Sequence, residues 1–184
     1  MTIEVLNETD ADIDVDVLVR QARFMLDRLR IHPDSELSLV LVDIPAMTDL
    51  HIEWMDEPGP TDVLSFPMDE LRPGAADTEP EPGVLGDVVI CPEVAENQAQ
   101  AAGHSRDDEI SLLLTHGILH LLGYDHAEPD EHAEMFGLQS ELLTSWVKVQ
   151  LERSFAARTQ LKRSYGSCVV PSVPRMMKPH FGCG

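Results

Sequence analysis

Residues 105–126 read SRDDEISLLLTHGILHLLGYDH. Ser105, with Asp108 three residues later, is a variant of the helix capping box, and the acidic first turn suits the helix dipole. Almost every residue from Ile110 to Leu122 is apolar, which indicates a largely buried helix. This segment therefore predicts a central helix around which the rest of the domain packs.

Two histidines interrupt this apolar helix, and a third follows it. His116 and His120 are four residues apart, so both rings can reach one point from the same side of the helix. Gly123 fits a helix C-terminus that needs a positive φ, and the chain reversal there can bring His126 to the same point. Three imidazoles without a fourth protein ligand in sequence range describe a catalytic zinc site with an open position. We therefore predict one zinc ion per chain on these histidines.

The same spacing occurs in the signature of the metzincin proteases, with one difference. Those enzymes carry a glutamate general base beside the first histidine, where this chain has Gly117. Glycine cannot move a proton, so the spacing supports the metal and argues against the protease mechanism. The remaining histidines lie alone in polar surroundings and are not expected to be ligands: His32, His51, His104, His132 and His180.

Strand and helix patterns alternate along the rest of the chain. Strands are predicted at 2–6, 37–42, 61–66 and 84–90, and helices at 15–29, 45–55, 92–102 and 107–122. Pro60 and Pro67 bound the third strand, which suggests the edge of a sheet, and Asp69 to Gly83 reads as a loop. Helical spacing in the last acidic segment predicts these core residues: Met135, Phe136, Leu138, Leu142 and Trp146.

Length and composition limit the class of protein. The 184 residues suit one domain, and 33 acidic against 13 basic side chains give a net charge of −20. That balance argues against nucleic-acid binding through a broad cationic surface, although a metal ion can make a local site positive. The sequence shows no secretory signal or apolar run of membrane-spanning length, and its three cysteines lack a CxxC spacing. We expect a cytoplasmic protein without a membrane partner.

The charge is distributed unevenly and suggests a boundary. Residues 1–147 hold 6 basic and 32 acidic side chains, whereas residues 148–184 hold 7 and 1. We therefore predict a domain at 1–147 and a basic, poorly ordered tail at 148–184.

Three segments carry a resemblance to known proteins: HGILHLLGYDH at 116–126, PTDVLSFP at 60–67 and LGDVVI at 85–90. Together they resemble the YbeY family of bacterial rRNA maturation factors, and the similarity covers about residues 1–147. The resemblance implies a metal-dependent endoribonuclease, specific for single strands, that acts in small-subunit (16S) ribosomal RNA maturation and ribosome quality control. It also implies zinc on His116, His120 and His126, ribosomal RNA and the small subunit as partners, and no DNA substrate. The implied fold is α/β (α+β), with a mixed four-stranded sheet flanked by helices.

Other polar residues are weaker candidates for the site. Asp62 and Ser65 could line the cleft beside the metal or simply make local hydrogen bonds. Asp87, in an otherwise apolar strand, could hydrogen-bond to a ligand imidazole or be a turn aspartate. The catalytic residues beyond the zinc-bound water are otherwise not identified. Many relatives carry an arginine after an aromatic residue where this chain has Trp54 and Met55.

Two other functions fit parts of the pattern. A non-catalytic ribosome-assembly protein could use zinc only to fix the turn from Gly123 to His126, and a closed site with four protein ligands would favour it. A metalloprotease comes third, because the chain lacks the glutamate. An accessible metal site would favour the nuclease.

Overall fold

The computed structural model describes residues 1–74 and 80–165, with side chains as far as residue 156. The secondary structure elements in these residues are, in chain order, β1 (Thr2–Asn7), α1 (Val15–Arg28), β2 (Glu36–Leu41), α2 (Ile44–Met55), β3 (Val63–Pro67), β4 (Val84–Ile90), α3 (Pro92–Ala102), α4 (Arg106–Leu121) and α5 (Pro129–Tyr165). None of the described helices combines the length and apolar character that crossing a membrane requires.

The four strands form one mixed sheet in the order β1-β2-β4-β3. β1, β2 and β4 run parallel, whereas β3 pairs antiparallel with β4. β3 is therefore an edge strand, as its bounding prolines predict. The α/β fold with a mixed four-stranded sheet, expected from the resemblance, is confirmed.

Helices cover both faces of the sheet. The larger core cluster includes Ala22 of α1, Leu39 of β2, Val88 of β4 and Leu114 of α4. A smaller cluster contains Met47 of α2 and four neighbours: Val42, Leu64, Val89 and Cys91. Side chains alternate between the faces of a strand, so Val88 and Val89 belong to different clusters. α4 is thus buried against the sheet on the face opposite α2.

The N-terminus of α4 follows the sequence pattern. Ser105 and Asp108 form the predicted capping box, in which each side chain bonds to the other residue's backbone N–H.

Of the predicted core residues in α5, Met135, Leu142 and Trp146 are buried, whereas Phe136 and Leu138 are only partly buried.

The chain divides into two units, Met1–Lys148 and Val149–Gly184. The first holds the whole sheet. α5 ends at Tyr165, so residues 148–165 are helical where the sequence analysis expects a poorly ordered tail. The reason is composition: this stretch holds three Arg and two each of Leu, Ala, Lys and Gln, which are good helix formers, and it has no glycine or proline before Gly166. Residues 166–184 lie outside the described part of the chain.

α4 packs closely against the sheet at Gly117. A Cβ atom there would lie 2.6 Å from Val88 Cγ1 and 3.2 Å from Ser65 Oγ. These distances leave no room for a larger side chain without movement of β4. The absence of glutamate at this position therefore has a packing reason: the helix touches the sheet here.

We expect Gly117→Ala to destabilise the protein by about 1–3 kcal/mol, the usual cost of overpacking a core. Gly137→Ala in α5 is the matched control, because a Cβ there meets no described atom within 4 Å. That control variant should leave the free energy of unfolding unchanged or raise it by up to about 1 kcal/mol. Urea unfolding of both variants measures the difference, and equal stability of Gly117→Ala and the native chain would contradict the close packing.

Candidate metal centre

The end of α4 brings the three histidines to one place. His116 and His120 lie one turn apart on the helix. Gly123 has φ +78°, its N–H donates to the carbonyl of His120, and the N–H of Tyr124 donates to that of Leu119. These two bonds are those of a Schellman motif, which ends a helix and reverses the chain. The predicted glycine turn is therefore present, and it carries His126 back toward the helix.

The three rings form a compact cluster. The Nε2 atoms of His116 and His120 are 3.0 Å apart, and the ring centroid of His126 lies 5.4 Å and 5.2 Å from theirs. One nitrogen from each ring can be chosen so that all three lie within 4.8 Å of one another. His116 and His120 are half-buried, whereas His126 is exposed. Such a cluster can bind one cation and leave a coordination position open to solvent.

The far side of the His116 ring is held by a residue of α5. Its Nδ1 lies 3.0 Å from Oε1 of Gln139, a buried amide. A hydrogen bond with the backbone of Tyr124 also acts on the ring of His120. Metal-binding histidines commonly use their second nitrogen in this way. The contacts therefore orient both rings from outside the cluster.

Burial and the neighbouring histidines lower the pKa values of these rings, whereas nearby carboxylates and hydrogen bonds act in the opposite direction. Desolvation lowers the pKa of His116 below its ordinary value, with the nearby His126 acting in the same direction. The hydrogen bond to Gln139 and the charge of Asp62 partly offset that effect. Desolvation likewise lowers the pKa of His120, and Asp125 partly offsets it. The rings are thus kept neutral, which is the form that binds a metal.

Asp62 and Ser65 lie beside the cluster, with different roles. The carboxylate of Asp62 accepts hydrogen bonds from the N–H of Val63 at 2.7 Å and from Nε2 of Gln98 at 2.9 Å. It is thereby fixed near His116, whose pKa it affects. The hydroxyl of Ser65 donates to the carbonyl of Gly117 at 3.2 Å, so it fastens β3 to α4.

Asp87 lies on the other face of the sheet. It is paired with Phe66 across β3 and β4, whereas its neighbour Val88 is paired with Ser65 and touches Gly117. Alternation along the strand directs Asp87 away from α4. The imidazole contact was one of two alternatives for Asp87, and this placement does not favour it, because a strand presents only every second residue to the helix. Gln139 lies against the His116 ring instead.

Two residues near the cluster were missed or assigned differently by sequence reasoning. Gln139 lies on the same face of α5 as the buried residues Met135, Leu142 and Trp146. A polar residue at a core position was the signal that could have identified it. Phe136, predicted as core, has its ring centroid 5.9 Å from those of both His116 and His126. It forms an apolar wall of the cluster.

The side chain of Arg72 also lies at this turn. Nη1 of Arg72 donates to the carbonyl of Leu122 at 2.8 Å, and the guanidinium lies against Gly123. The sequence does not indicate this contact, since Arg72 comes from the predicted loop between β3 and β4. Met55 is exposed at the end of α2. Arg72 thus brings a positive charge to the turn between the second and third histidines.

The other described histidines make separate local contacts. His104 pairs with Glu109, His51 bonds to the carbonyl of Gly59, His32 accepts from the N–H of Asp34, and His132 stacks on Phe136. In the part of the chain that the structure describes, the cluster of His116, His120 and His126 is the group able to hold a metal. His180 lies outside that part.

We expect the metal-free protein to lose stability as the pH falls below about 6.5, the ordinary pKa of histidine. The unfolded chain binds protons there, whereas the lowered pKa values of His116 and His120 keep the folded state from binding them. Urea unfolding at pH 7.5 and 5.5 measures the effect. The double variant His116→Gln/His120→Gln should show a smaller loss, and an equal loss in both proteins would contradict the assignment.

Comparison with known proteins agrees with this geometry. The family model described as "Endoribonuclease YbeY" matches residues 4–147. Curated relatives with that name include one from Thermobifida fusca, 67% identical and covering 79% of this chain and 94% of its own length. Another is from Mycolicibacterium smegmatis, with 57% identity over 88% of this chain and 92% of its own.

A solved structure supports the same relationship. The solution structure of TM1509 from Thermotoga maritima has 25% sequence identity and a TM-score of 0.57, and it covers 83% of this chain and 93% of that one. The resemblance seen in the three sequence segments is thus confirmed over most of the chain. The protein belongs to the YbeY family of endoribonucleases.

Proposed function

We propose that this protein is a zinc-dependent endoribonuclease that cuts single-stranded RNA, with one zinc ion held by His116, His120 and His126. We further propose that its substrate is small-subunit (16S) ribosomal RNA, in maturation and quality control of the subunit in the cytoplasm. The main support is the convergence of the three imidazoles in a chain whose family consists of endoribonucleases.

The residues present fit a metal ion. Three neutral imidazoles are a donor set that zinc prefers, and both half-buried rings have partners that leave them able to bind. Desolvation favours their neutral form, so they need not lose a proton at neutral pH. Three protein ligands with an exposed third member favour a catalytic site over a closed structural one.

A bound zinc ion would supply Lewis acidity toward a phosphodiester oxygen and toward the attacking oxygen. The chain's own residues prepare the place for it. His116 and His120 form a rigid pair on α4, and His126 completes the set from the turn. Phe136 excludes water from one side, while the carboxylate of Asp62 lies near His116 as a fixed negative charge.

The two rival functions fit less well. A protease that uses a glutamate at position 117 cannot be built here, because a side chain at Gly117 would meet Val88. A purely structural zinc site would be expected to close itself with a fourth protein ligand, whereas the described cluster has three members and His126 is exposed.

We expect the native protein to bind zinc in a 1:1 ratio, and each of His116→Ala, His120→Ala and His126→Ala to lose it. Loss of a ligand should weaken binding by more than the 10–100-fold that is typical of losing an outer hydrogen-bond partner. Metal analysis after equilibration with a weak chelator measures this. His132→Ala is the control and should retain zinc, because His132 stacks on Phe136 outside the cluster. Full retention in any of the three alanine variants would remove that residue from the site.

We expect the zinc-loaded protein to cut single-stranded RNA but neither DNA of the same sequence nor unfolded casein. His120→Ala should lose about 3 kcal/mol or more of transition-state stabilisation, which is a rate loss of at least about 100-fold. Gel analysis of the products measures both results. Cleavage of casein without cleavage of RNA would overturn the proposal, and an active His120→Ala variant would place the chemistry elsewhere.

A further inference from the structure

The orientation of His116 depends on one residue of α5. Nδ1 of His116 lies 3.0 Å from Oε1 of Gln139, and Gln139 is only 5% exposed. An amide oxygen can accept a hydrogen bond but cannot donate one. The proton of the neutral imidazole must therefore be on Nδ1 for this bond to form.

The position of that proton decides what the other nitrogen can do. With Nδ1 protonated, Nε2 of His116 carries a lone pair, and this atom is the one that lies 3.0 Å from Nε2 of His120. In the opposite tautomer, Nε2 would carry a hydrogen and could not bind a metal. The hydrogen bond to Gln139 thus favours the tautomer of His116 that can bind a metal through Nε2 over the tautomer that cannot.

We propose that Gln139 is a positioning residue of the metal centre, which selects the Nδ1-protonated tautomer of His116 and aims its Nε2 at the metal. The inference rests on the proposed metal centre and adds a fourth residue, from another helix, to its construction. Gln139 itself does not touch the metal or the RNA.

The place of Gln139 in α5 supports this role over a packing role alone. Its neighbours on the same helix face, Met135 and Leu142, are buried apolar residues. An apolar residue would serve packing at position 139 equally well, and a buried amide must be hydrogen-bonded to avoid a desolvation penalty. The bond to His116 meets that need for the amide oxygen.

The uncharged character of the partner is also significant. A carboxylate would accept the same hydrogen bond, but it would add a negative charge beside a cation site that Asp62 and Asp125 already influence. Glutamine orients the ring and leaves the positive charge of a bound metal undiminished. The glutamate variant therefore separates the two contributions, because it keeps the acceptor and changes only the charge.

Three variants test the proposal. Gln139→Met has a similar volume without the acceptor, Gln139→Glu keeps an acceptor, and Gln100→Met removes an exposed glutamine of α3 as a matched control. Zinc affinity is measured by competition with a chromophoric chelator, and folding by circular dichroism and urea unfolding. We expect zinc binding by Gln139→Met to be 10–100-fold weaker. Gln139→Glu should bind within a few-fold of the native protein or more tightly, and Gln100→Met should be unchanged.

The tautomer is read directly by long-range ¹H–¹⁵N NMR of the histidine rings in metal-free native protein above pH 7.5. We expect His116 to be protonated on Nδ1 in the native protein and in Gln139→Glu, and to lose that preference in Gln139→Met. A His116 protonated on Nε2 in the native protein would overturn the proposal, as would a folded Gln139→Met variant with native zinc affinity. If the native protein binds no zinc, the metal centre fails, whereas zinc binding unaffected by Gln139→Met refutes only the role of Gln139.

Discussion

The position of the histidine cluster depends on the direct contact between α4 and β4. Gly117 lies against Val88, and the hydroxyl of Ser65 bonds to the Gly117 carbonyl, so the helix is fixed both in rotation and along its axis. Successive helical residues are about 100° apart, so with Gly117 facing the sheet, His116 points to the side of the helix. α5 meets that side with Gln139 and Phe136. The packing of one glycine therefore determines where the first histidine of the cluster lies.

The local features of the site, within single elements and turns, could be predicted from the sequence. The capping box at Ser105, the one-turn spacing of His116 and His120, and the reversal at Gly123 are rules that span at most six residues, and all three are present. The prolines around β3 likewise indicated its edge position, because proline has no backbone N–H to donate to a neighbouring strand. Short-range backbone chemistry was thus enough to predict the helix, the turn and the strand.

The contacts across elements could not be predicted in the same way. Gln139 and Arg72 reach the site from α5 and from the loop after β3, more than 20 residues away from their partners in the chain. Asp87 was a reasonable candidate from its polarity, but its face depends on which residue of β4 meets α4. That register follows from packing of the whole sheet. Polarity alone identifies a residue that needs a partner, and the fold decides which partner it obtains.

The cluster combines rigid and exposed parts, and the difference follows from where each ligand lies. His116 and His120 project from a buried helix and lose solvation on folding, which lowers their pKa values and keeps them neutral at the pH of a cell. His126 lies beyond the helix, and its position rests on the Schellman bonds, on Arg72 at Leu122 and on the Asp125 carboxylate, which accepts from the N–H of His126 at 2.7 Å. Two donors are therefore built into the core, while the third is held by surface hydrogen bonds. Because His126 faces solvent, a polymeric RNA of the kind that an endoribonuclease cuts has access to the histidine cluster from that side without opening of the core.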